Sequence, residues 1–264
     1  SADIHKNSKV GETTIKKIMK SEIVASILRE MEIREMARLK RQQKANSKVK
    51  VEKLVDANSK NRKDCQLFIF EGESAESGAR KFRDPKTQAM FKLKGKFANT
   101  RKMTAKKMVE TEEVMGLMSS IGLTLNEKIE ESDLRYNEIL ITTDMDTDGD
   151  SIVGLLLNFF SQWKELFEMK KIYRCITPLL VINKGKVKKY FYTMKEWDEY
   201  QIKNSITGWN ISYKKGLGSL EDDEYKDMIQ NPRKILIEWD KESESFLECW
   251  FGNDSEPRKK QLSE

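Results

Sequence analysis

The chain has 264 residues, of which 35% are charged, so it is long enough for one large domain or for a domain with appendages. Its formal net charge of +6 favours a polyanionic partner. The three cysteines form no Cys-x-x-Cys pair, so neither a zinc site nor a disulfide framework is indicated. The longest apolar run is too short to cross a bilayer and no signal peptide is recognisable, so we expect a cytoplasmic protein with no membrane partner.

The first part of the chain, residues 1–63, is rich in charged and polar side chains. Apolar residues recur at near-helical spacing from Ile15 to Leu39, which predicts a long amphipathic helix. Its basic stretch over residues 38–44 fits either phosphate contact or a solvated face. A polar connection is expected over residues 47–63.

The second part, residues 64–182, contains two apolar runs that each end in carboxylates. Gln66 to Phe70 is followed at once by the segment Glu71-Gly72-Glu73-Ser74-Ala75. Ile139 to Ile141 leads into a run with four carboxylates in seven residues: Asp144, Asp146, Asp148 and Asp150. Helices are predicted from Thr104 to Ser119 and from Ser151 to Met169, with a strand pair, broken at Pro178, between Ile172 and Val181.

The aspartate run could also begin an EF-hand calcium loop, because it has the pattern Asp-x-Asp-x-Asp-Gly. That interpretation fails at the last loop position, where Leu155 stands in place of a bidentate Glu, and a strand rather than a helix precedes the run. A strand, an acidic turn and a helix form a unit of a parallel sheet, which binds ligands at the carboxyl ends of its strands. So much negative charge favours Mg²⁺, although a solvated acidic turn is the alternative.

The third part, residues 183–264, is expected to open with a hairpin turned at Lys184-Gly185 and then to alternate short helices and strands. Ser219 to Asp222 is interpreted as the capping start of a helix that ends before Pro232. Three tryptophans are interpreted as packing residues rather than as platforms for bases: Trp209, Trp239 and Trp250.

The two acidic segments together resemble the TOPRIM fold, and further motifs resemble those of type IIA DNA topoisomerases in the same order. Glu71 to Ala75 is similar to the EGDSA motif, with Glu73 in place of Asp. The other similar segments are Leu93 to Lys96 (PLKGK, with Lys92 where Pro is expected), Leu134 to Asp144 (the lead into TDADVDG) and Tyr213 to Gly218 (YKGLG).

Within this family the likeness extends to the large, ATPase- and TOPRIM-bearing subunit of T-even-type bacteriophages. It is carried by Phe159 to Glu168, Lys215 to Leu220 and Met228 to Pro232. The chain departs from gyrase at Asp150-Ser151, where gyrase has Ser-His, so a role of that histidine cannot be carried over.

The resemblance implies an α/β fold, with a Rossmann-like parallel sheet flanked by helices. Residues 1–63 would be a helical arm from the transducer region, residues 64–182 the metal-binding domain, and residues 183–264 an α+β tail that completes it. The chain would then be a C-terminal fragment of a longer subunit. No nucleotide-binding glycine loop occurs in it, so ATP is expected only in a missing upstream domain.

The resemblance also implies a mechanism of reversible double-strand DNA cleavage and religation. Glu71, Asp144 and Asp146 would be catalytic, with Glu71 and Asp144 at the first Mg²⁺ site and Asp146 and Asp148 at the second. Glu71 could alternatively shuttle a proton. Tyr136, in the family's Leu-Arg-Tyr segment, is expected to pack rather than to attack DNA.

The nucleophilic tyrosine would then come from a separate breakage-reunion subunit in a dimeric, heteromeric assembly in the infected bacterial host. Candidate contacts to the phosphates of double-stranded DNA are Lys94, Lys96, Lys214 and Lys215, with Arg80, Lys81 and Arg83 as weaker ones. A stand-alone TOPRIM nuclease or primase-like module and a non-catalytic interaction subunit are the alternative functions.

Overall fold

The computed structural model describes residues 21–47 and 51–263. A six-stranded sheet forms its centre, with the strand order β1-β3-β2-β4-β5-β9. The strands are β1 (Leu54–Val55), β2 (Gln66–Phe70), β3 (Gln88–Lys92), β4 (Glu138–Thr142), β5 (Ile172–Cys175) and β9 (Lys234–Leu236). Strands β3, β2, β4 and β5 run parallel. The outermost strands, β1 and β9, each pair antiparallel with their neighbour.

Strands β2, β3 and β4 are buried on both faces, which explains why their central residues are apolar. Successive side chains point to opposite faces of the sheet. Leu67 and Ile69 pack into the larger core on one face, whereas Phe68 and Phe70 pack into a second core on the other.

The described part of the chain contains ten helices. They are α1 (Glu22–Ser47), α2 (Glu73–Arg80), α3 (Ala105–Glu110), α4 (Glu112–Ile121), α5 (Thr147–Phe160), α6 (Glu165–Glu168), α7 (Met194–Lys203), α8 (Asp222–Gln230), α9 (Ser243–Phe251) and α10 (Glu256–Ser263). Helices α4 and α5 contribute to the larger core, and α2 and α8 to the second. None of the helices within residues 21–47 and 51–263 is long and apolar enough to cross a bilayer.

A smaller, three-stranded antiparallel sheet follows, with β6 (Leu180–Lys184) between β7 (Val187–Phe191) and β8 (Asn210–Tyr213). Lys184 pairs with Val187, so the hairpin turn predicted at Lys184-Gly185 is confirmed. Gly185 has a φ of +61°, a left-handed conformation that favours glycine. The α/β fold class with a parallel sheet is likewise confirmed.

Three predicted helices differ in their bounds. The helix predicted from Thr104 to Ser119 is two helices, α3 and α4, because the backbone at Thr111 is extended. The helix predicted from Ser151 begins at Thr147, since Asp146 caps it by accepting the N–H of Gly149, and it ends at Phe160. Helix α8 begins at Asp222 rather than near Ser219, and Glu221 and Glu224 form its capping box.

The predicted N-terminal helix is present as α1, although Ile15, Ile18 and Met19 lie outside the described residues. Leu39 is buried and Met36 packs against the larger core, but Ile27 and Met31 are exposed. Trp209 and Trp239 pack partly buried against apolar clusters, and Trp250 lies beside Phe246, as expected for packing residues. The boundaries at residues 63 and 182 stay predictions.

Candidate metal centre

The carboxyl ends of β2 and β4 bring the two acidic segments together. These neighbouring parallel strands pair Phe70 with Thr142, so Glu71 and the aspartate run leave the sheet at the same edge. The backbone N–H of Asp144 donates a hydrogen bond to the Glu71 carboxylate. The Oε2 atom of Glu71 is buried and has no hydrogen-bond partner within the described residues.

The environment of Glu71 disfavours its charged form. Burial raises the pKa of the Glu71 carboxyl above its ordinary value, and the charges of Asp144, Asp146 and Asp148 raise it further. The hydrogen bond from the Asp144 backbone acts in the opposite direction. A cation bound beside this carboxylate would offset the desolvation cost and the repulsion.

Asp144 is held from the opposite side by the turn after β8. The backbone N–H of Leu217 donates to Asp144 Oδ1 at 2.7 Å. A Cβ at Gly216 would lie 2.3 Å from Asp144 Oδ2, and one at Gly149 would lie 2.1 Å from the Asp144 carbonyl oxygen. Both positions therefore require glycine because the Asp144 carboxylate and backbone approach so closely.

The remaining aspartates lie on the exposed first turn of α5. Asp146 Oδ1 accepts the N–H of Gly149 at 2.8 Å, where it caps the helix. Asp148 is paired with Lys96 at 2.8 Å, and Asp150 with Arg174 at 2.6 Å. In the described part of the chain, no three Asp, Glu, His or Cys side chains form a ready-made set of metal ligands.

Tyr136 lies at the other edge of the sheet, just before β4 begins. Its hydroxyl donates to Asp56 Oδ1 at 2.7 Å, and the side chain is buried. Burial, followed by the hydrogen bond and charge of Asp56, raises the pKa of the Tyr136 hydroxyl far above its ordinary value. The expectation that Tyr136 packs inside the protein is confirmed by these contacts, and its exclusion as a nucleophile stays a prediction.

Comparisons with known proteins show which families and structures the chain resembles. The Toprim domain family matches residues 66–177, and the C-terminal associated domain of TOPRIM matches residues 175–264. The chain therefore contains a Toprim domain followed by its C-terminal associated domain. It is similar to the B subunit of DNA gyrase from Thermotoga maritima, with 33% identity over 78% of this chain and 34% of the relative. DNA topoisomerase 2 of Arabidopsis thaliana is 34% identical over 96% of this chain and 18% of the relative.

A solved structure extends the likeness to three dimensions. The DNA-binding, cleavage and re-ligation domain of Plasmodium falciparum topoisomerase II superposes with a TM-score of 0.71 and 29% identity, covering 81% of this chain and 31% of that chain. The chain thus resembles the TOPRIM portion of type II topoisomerases. It spans only 18% to 34% of the length of the curated relatives named above.

The TOPRIM carboxylates fit Mg²⁺ chemically. Mg²⁺ is usually held by one or two carboxylates and keeps several waters, so it does not need a closed protein cage. Glu71 and Asp144 supply two such groups, and the unpartnered Oε2 of Glu71 is a buried oxygen that lacks a donor among the described residues. Asp148 Oδ1 is paired with Lys96, and the rest of this carboxylate is exposed.

The candidate DNA-contacting lysines differ in their exposure to solvent. Lys94, Lys96 and Lys215 are exposed. Lys214 is buried, and its Nζ contacts Glu224 Oε2 at 2.8 Å and the Ser219 carbonyl at 3.1 Å. The prediction that Lys214 contacts a phosphate is therefore wrong, because its ammonium group is already paired inside the protein.

The weaker basic candidates also have internal partners. Arg80 pairs with Glu76, and Lys81 with Asp222. Arg83 donates to the backbone carbonyls of Asp56 and Gln88, which ties it to the edge of the sheet remote from the metal centre. Arg80 and Lys81 are nevertheless exposed, like Lys94, Lys96 and Lys215, so these five side chains stay phosphate candidates.

Sequence reasoning missed two groups at the carboxyl edge of the sheet that hold acidic side chains. The first is Lys92, which pairs with Glu73 at 2.6 Å and would be suggested only by its unexpected place in the Pro position of the lysine motif. The second is the backbone N–H of Leu217, which lies in the YKGLG-like motif. That motif was a signal, but its lysines rather than its glycines were interpreted as functional.

Proposed function

We propose that this chain is the Mg²⁺-binding part of a type II DNA topoisomerase and supports reversible cleavage and religation of double-stranded DNA. The observation that carries the proposal is the buried, unpartnered oxygen of Glu71 beside Asp144 at the carboxyl edge of the parallel sheet. Such an edge is where parallel sheets bind ligands. The match to the Toprim domain family and the likeness to the gyrase B protein and topoisomerase 2 support it.

Glu71 and Asp144 would hold the first Mg²⁺, and Asp146 with Asp148 a second, more weakly held one. When bound there, Mg²⁺ supplies charge neutralisation for the phosphodiester and stabilises the leaving oxygen. Glu71, whose pKa is raised by burial and by the neighbouring aspartates, is also suited to hold a proton for that oxygen. Gly216 and Gly149 leave room for Asp144 to stay in place.

The exposed lysines would hold the DNA backbone near these carboxylates. Lys94, Lys96 and Lys215 can each neutralise a phosphate. Lys96 is paired with Asp148, so a cation at Asp148 would free the ammonium group of Lys96 for a phosphate. This exchange links metal binding to DNA binding through one exposed ion pair.

The attacking tyrosine would come from a breakage-reunion subunit, within a dimeric, heteromeric enzyme that hydrolyses ATP in another domain. Tyr136 cannot serve, because it is buried and bonded to Asp56 at the other edge of the sheet. The likeness of the segments at Phe159, Lys215 and Met228 to the T-even-type phage subunit suggests that source and, with it, the cytoplasm of an infected bacterium.

The test mixes the purified chain with the tyrosine-bearing subunit of a T-even-type topoisomerase and supercoiled plasmid. We expect Mg²⁺-dependent cleavage, with the tyrosine-bearing subunit covalently linked to DNA, only when both proteins are present. Robust Mg²⁺-dependent cleavage by the chain alone would contradict the proposal and favour a stand-alone TOPRIM nuclease.

A further inference from the structure

The orientation of Asp144 is set by a turn that is distant from it in sequence. The turn comprises Gly216 to Ser219 and lies within the C-terminal associated domain, whereas Asp144 follows β4. The two meet where the Leu217 N–H donates to Asp144 Oδ1 at 2.7 Å and where the missing side chain of Gly216 makes room for the carboxylate. The main chain of one part of the protein therefore holds a carboxylate of another part.

Buried polar contacts hold this turn in place. The hydroxyl of Tyr225 donates to the Leu217 carbonyl at 2.7 Å. Lys214 Nζ donates to the Ser219 carbonyl at 3.1 Å and pairs with Glu224 Oε2 at 2.8 Å, and the two paired side chains are 5% and 2% exposed. Hydrogen bonds thus reach the turn at both Leu217 and Ser219.

A buried ion pair is a poor source of stability, because removing two charges from water costs about as much as their attraction returns. The Lys214–Glu224 pair has a more specific consequence, since Lys214 also binds the turn that meets Asp144. Groups that orient a metal ligand without touching the metal commonly change metal affinity by about 10- to 100-fold when they are removed.

We propose that Tyr225, Lys214 and Glu224 are positioning residues for the metal centre, which lock the turn so that the Leu217 N–H holds Asp144 in its cation-binding orientation. The proposal rests on the proposed function of Asp144 as a Mg²⁺ ligand. It replaces the expectation that Lys214 acts on DNA with a role inside the protein.

The sharpest variant is Tyr225→Phe, which keeps the ring packed beside Gly78 and removes only the hydroxyl that binds the turn. Isothermal titration of the full chain with Mg²⁺ should show about tenfold weaker binding. Tm should fall modestly, because the buried Leu217 carbonyl loses its donor. In ¹H–¹⁵N spectra without metal, the Leu217 amide proton should move upfield, because its charge-assisted hydrogen bond to Asp144 weakens.

A second variant protects the test against misfolding. Lys214→Met combined with Glu224→Gln removes both buried charges at once, and the introduced amide would keep an acceptor for the Glu221 N–H at the start of α8. We expect a folded protein that again binds Mg²⁺ about tenfold more weakly. The matched control is Ile229→Val, a fully buried position on the same helix that should lower Tm without changing the affinity.

The outcomes separate the two proposals. Wild-type affinity and an unmoved Leu217 amide in both variants would overturn the positioning role while leaving the metal site intact. Equal weakening by Ile229→Val would also overturn it, because any loosening of α8 would then suffice. No Mg²⁺ binding by the wild-type chain would overturn the metal site itself and, with it, the positioning role.

Discussion

The carboxylates at the two edges of the parallel sheet differ in how fully they are hydrogen-bonded. At the amino edge, Asp56 accepts hydrogen bonds from the Tyr136 hydroxyl, the Arg135 guanidinium and the Ala57 N–H. At the carboxyl edge, Glu71 receives the N–H of Asp144, and its buried Oε2 has no partner in the described part of the chain. A carboxylate whose oxygens are satisfied internally stabilises the fold, whereas one left partly unsatisfied among other negative charges is suited to bind a cation.

Removing the carboxylate at the carboxyl edge should have the largest effect on activity. Asp144→Ala eliminates a proposed ligand and the acceptor for the Leu217 N–H, so DNA cleavage by the assembled enzyme should fall by at least about 100-fold. The measurement is the initial rate of covalent adduct formation with a tyrosine-bearing subunit. Cleavage at the normal rate would show that the two edges do not differ in function.

Removing the carboxylate at the amino edge should affect stability instead. Asp56→Ala leaves the buried Tyr136 hydroxyl and the Arg135 guanidinium without their acceptor, so the free energy of unfolding should decrease by about 2 kcal/mol. Urea denaturation measures this change, and titration of the folded variant with Mg²⁺ should give the wild-type affinity. Lost Mg²⁺ binding in a folded Asp56→Ala variant would contradict the division between the edges.

A smaller effect is expected for a lysine proposed to bind DNA near the carboxyl edge. Lys215 is exposed next to the buried Lys214, so Lys215→Ala should weaken DNA binding, reduce the salt slope by about 1 and leave Tm unchanged. Fluorescence anisotropy at several salt concentrations measures the slope. The control is Lys86→Ala, which changes an exposed lysine before β3 at the amino edge and should leave DNA binding normal. Equal effects of the two changes would contradict the proposal that DNA binds near the carboxyl edge.

The smallest effect concerns pH. The pKa of Glu71 is raised in the folded protein, mainly by burial and then by Asp144, Asp146 and Asp148. Its stabilising contribution is therefore complete below the unfolded pKa and is lost as the pH rises through the folded pKa. Without Mg²⁺, Glu71→Gln should become more stable than wild type above that window, as measured by Tm from about pH 4 to about pH 8, a range set by the ordinary carboxyl pKa. A Tm difference between the two proteins that does not change with pH would show that folding does not raise the pKa of Glu71.

The sequence was sufficient to locate the two acidic segments and to bring them together. Each follows an apolar run, and parallel strands end at one edge, so the proximity of Glu71 to Asp144 follows from pattern and topology. The hairpin at Lys184-Gly185 followed from turn chemistry in the same way. These features depend on local residue order or on a regular sheet.

The remaining features depend on contacts between segments that no local pattern encodes. Lys214 and Lys215 are adjacent and chemically alike, yet only Lys214 is buried, because Glu224 of α8 packs over it. The Leu217 N–H that holds Asp144 is a backbone group, so its role leaves no signature in the side chain. The break at Thr111 also lacks a Gly or Pro signal.

The most direct test of the metal centre is Mg²⁺ titration of the wild-type chain beside Glu71→Gln, a nearly isosteric change that removes the charge at the unpartnered oxygen. Calorimetry should detect saturable Mg²⁺ binding by the wild type and a loss of at least about tenfold in affinity for the variant. Identical titration curves for the two proteins would contradict the assignment of Glu71 as a Mg²⁺ ligand.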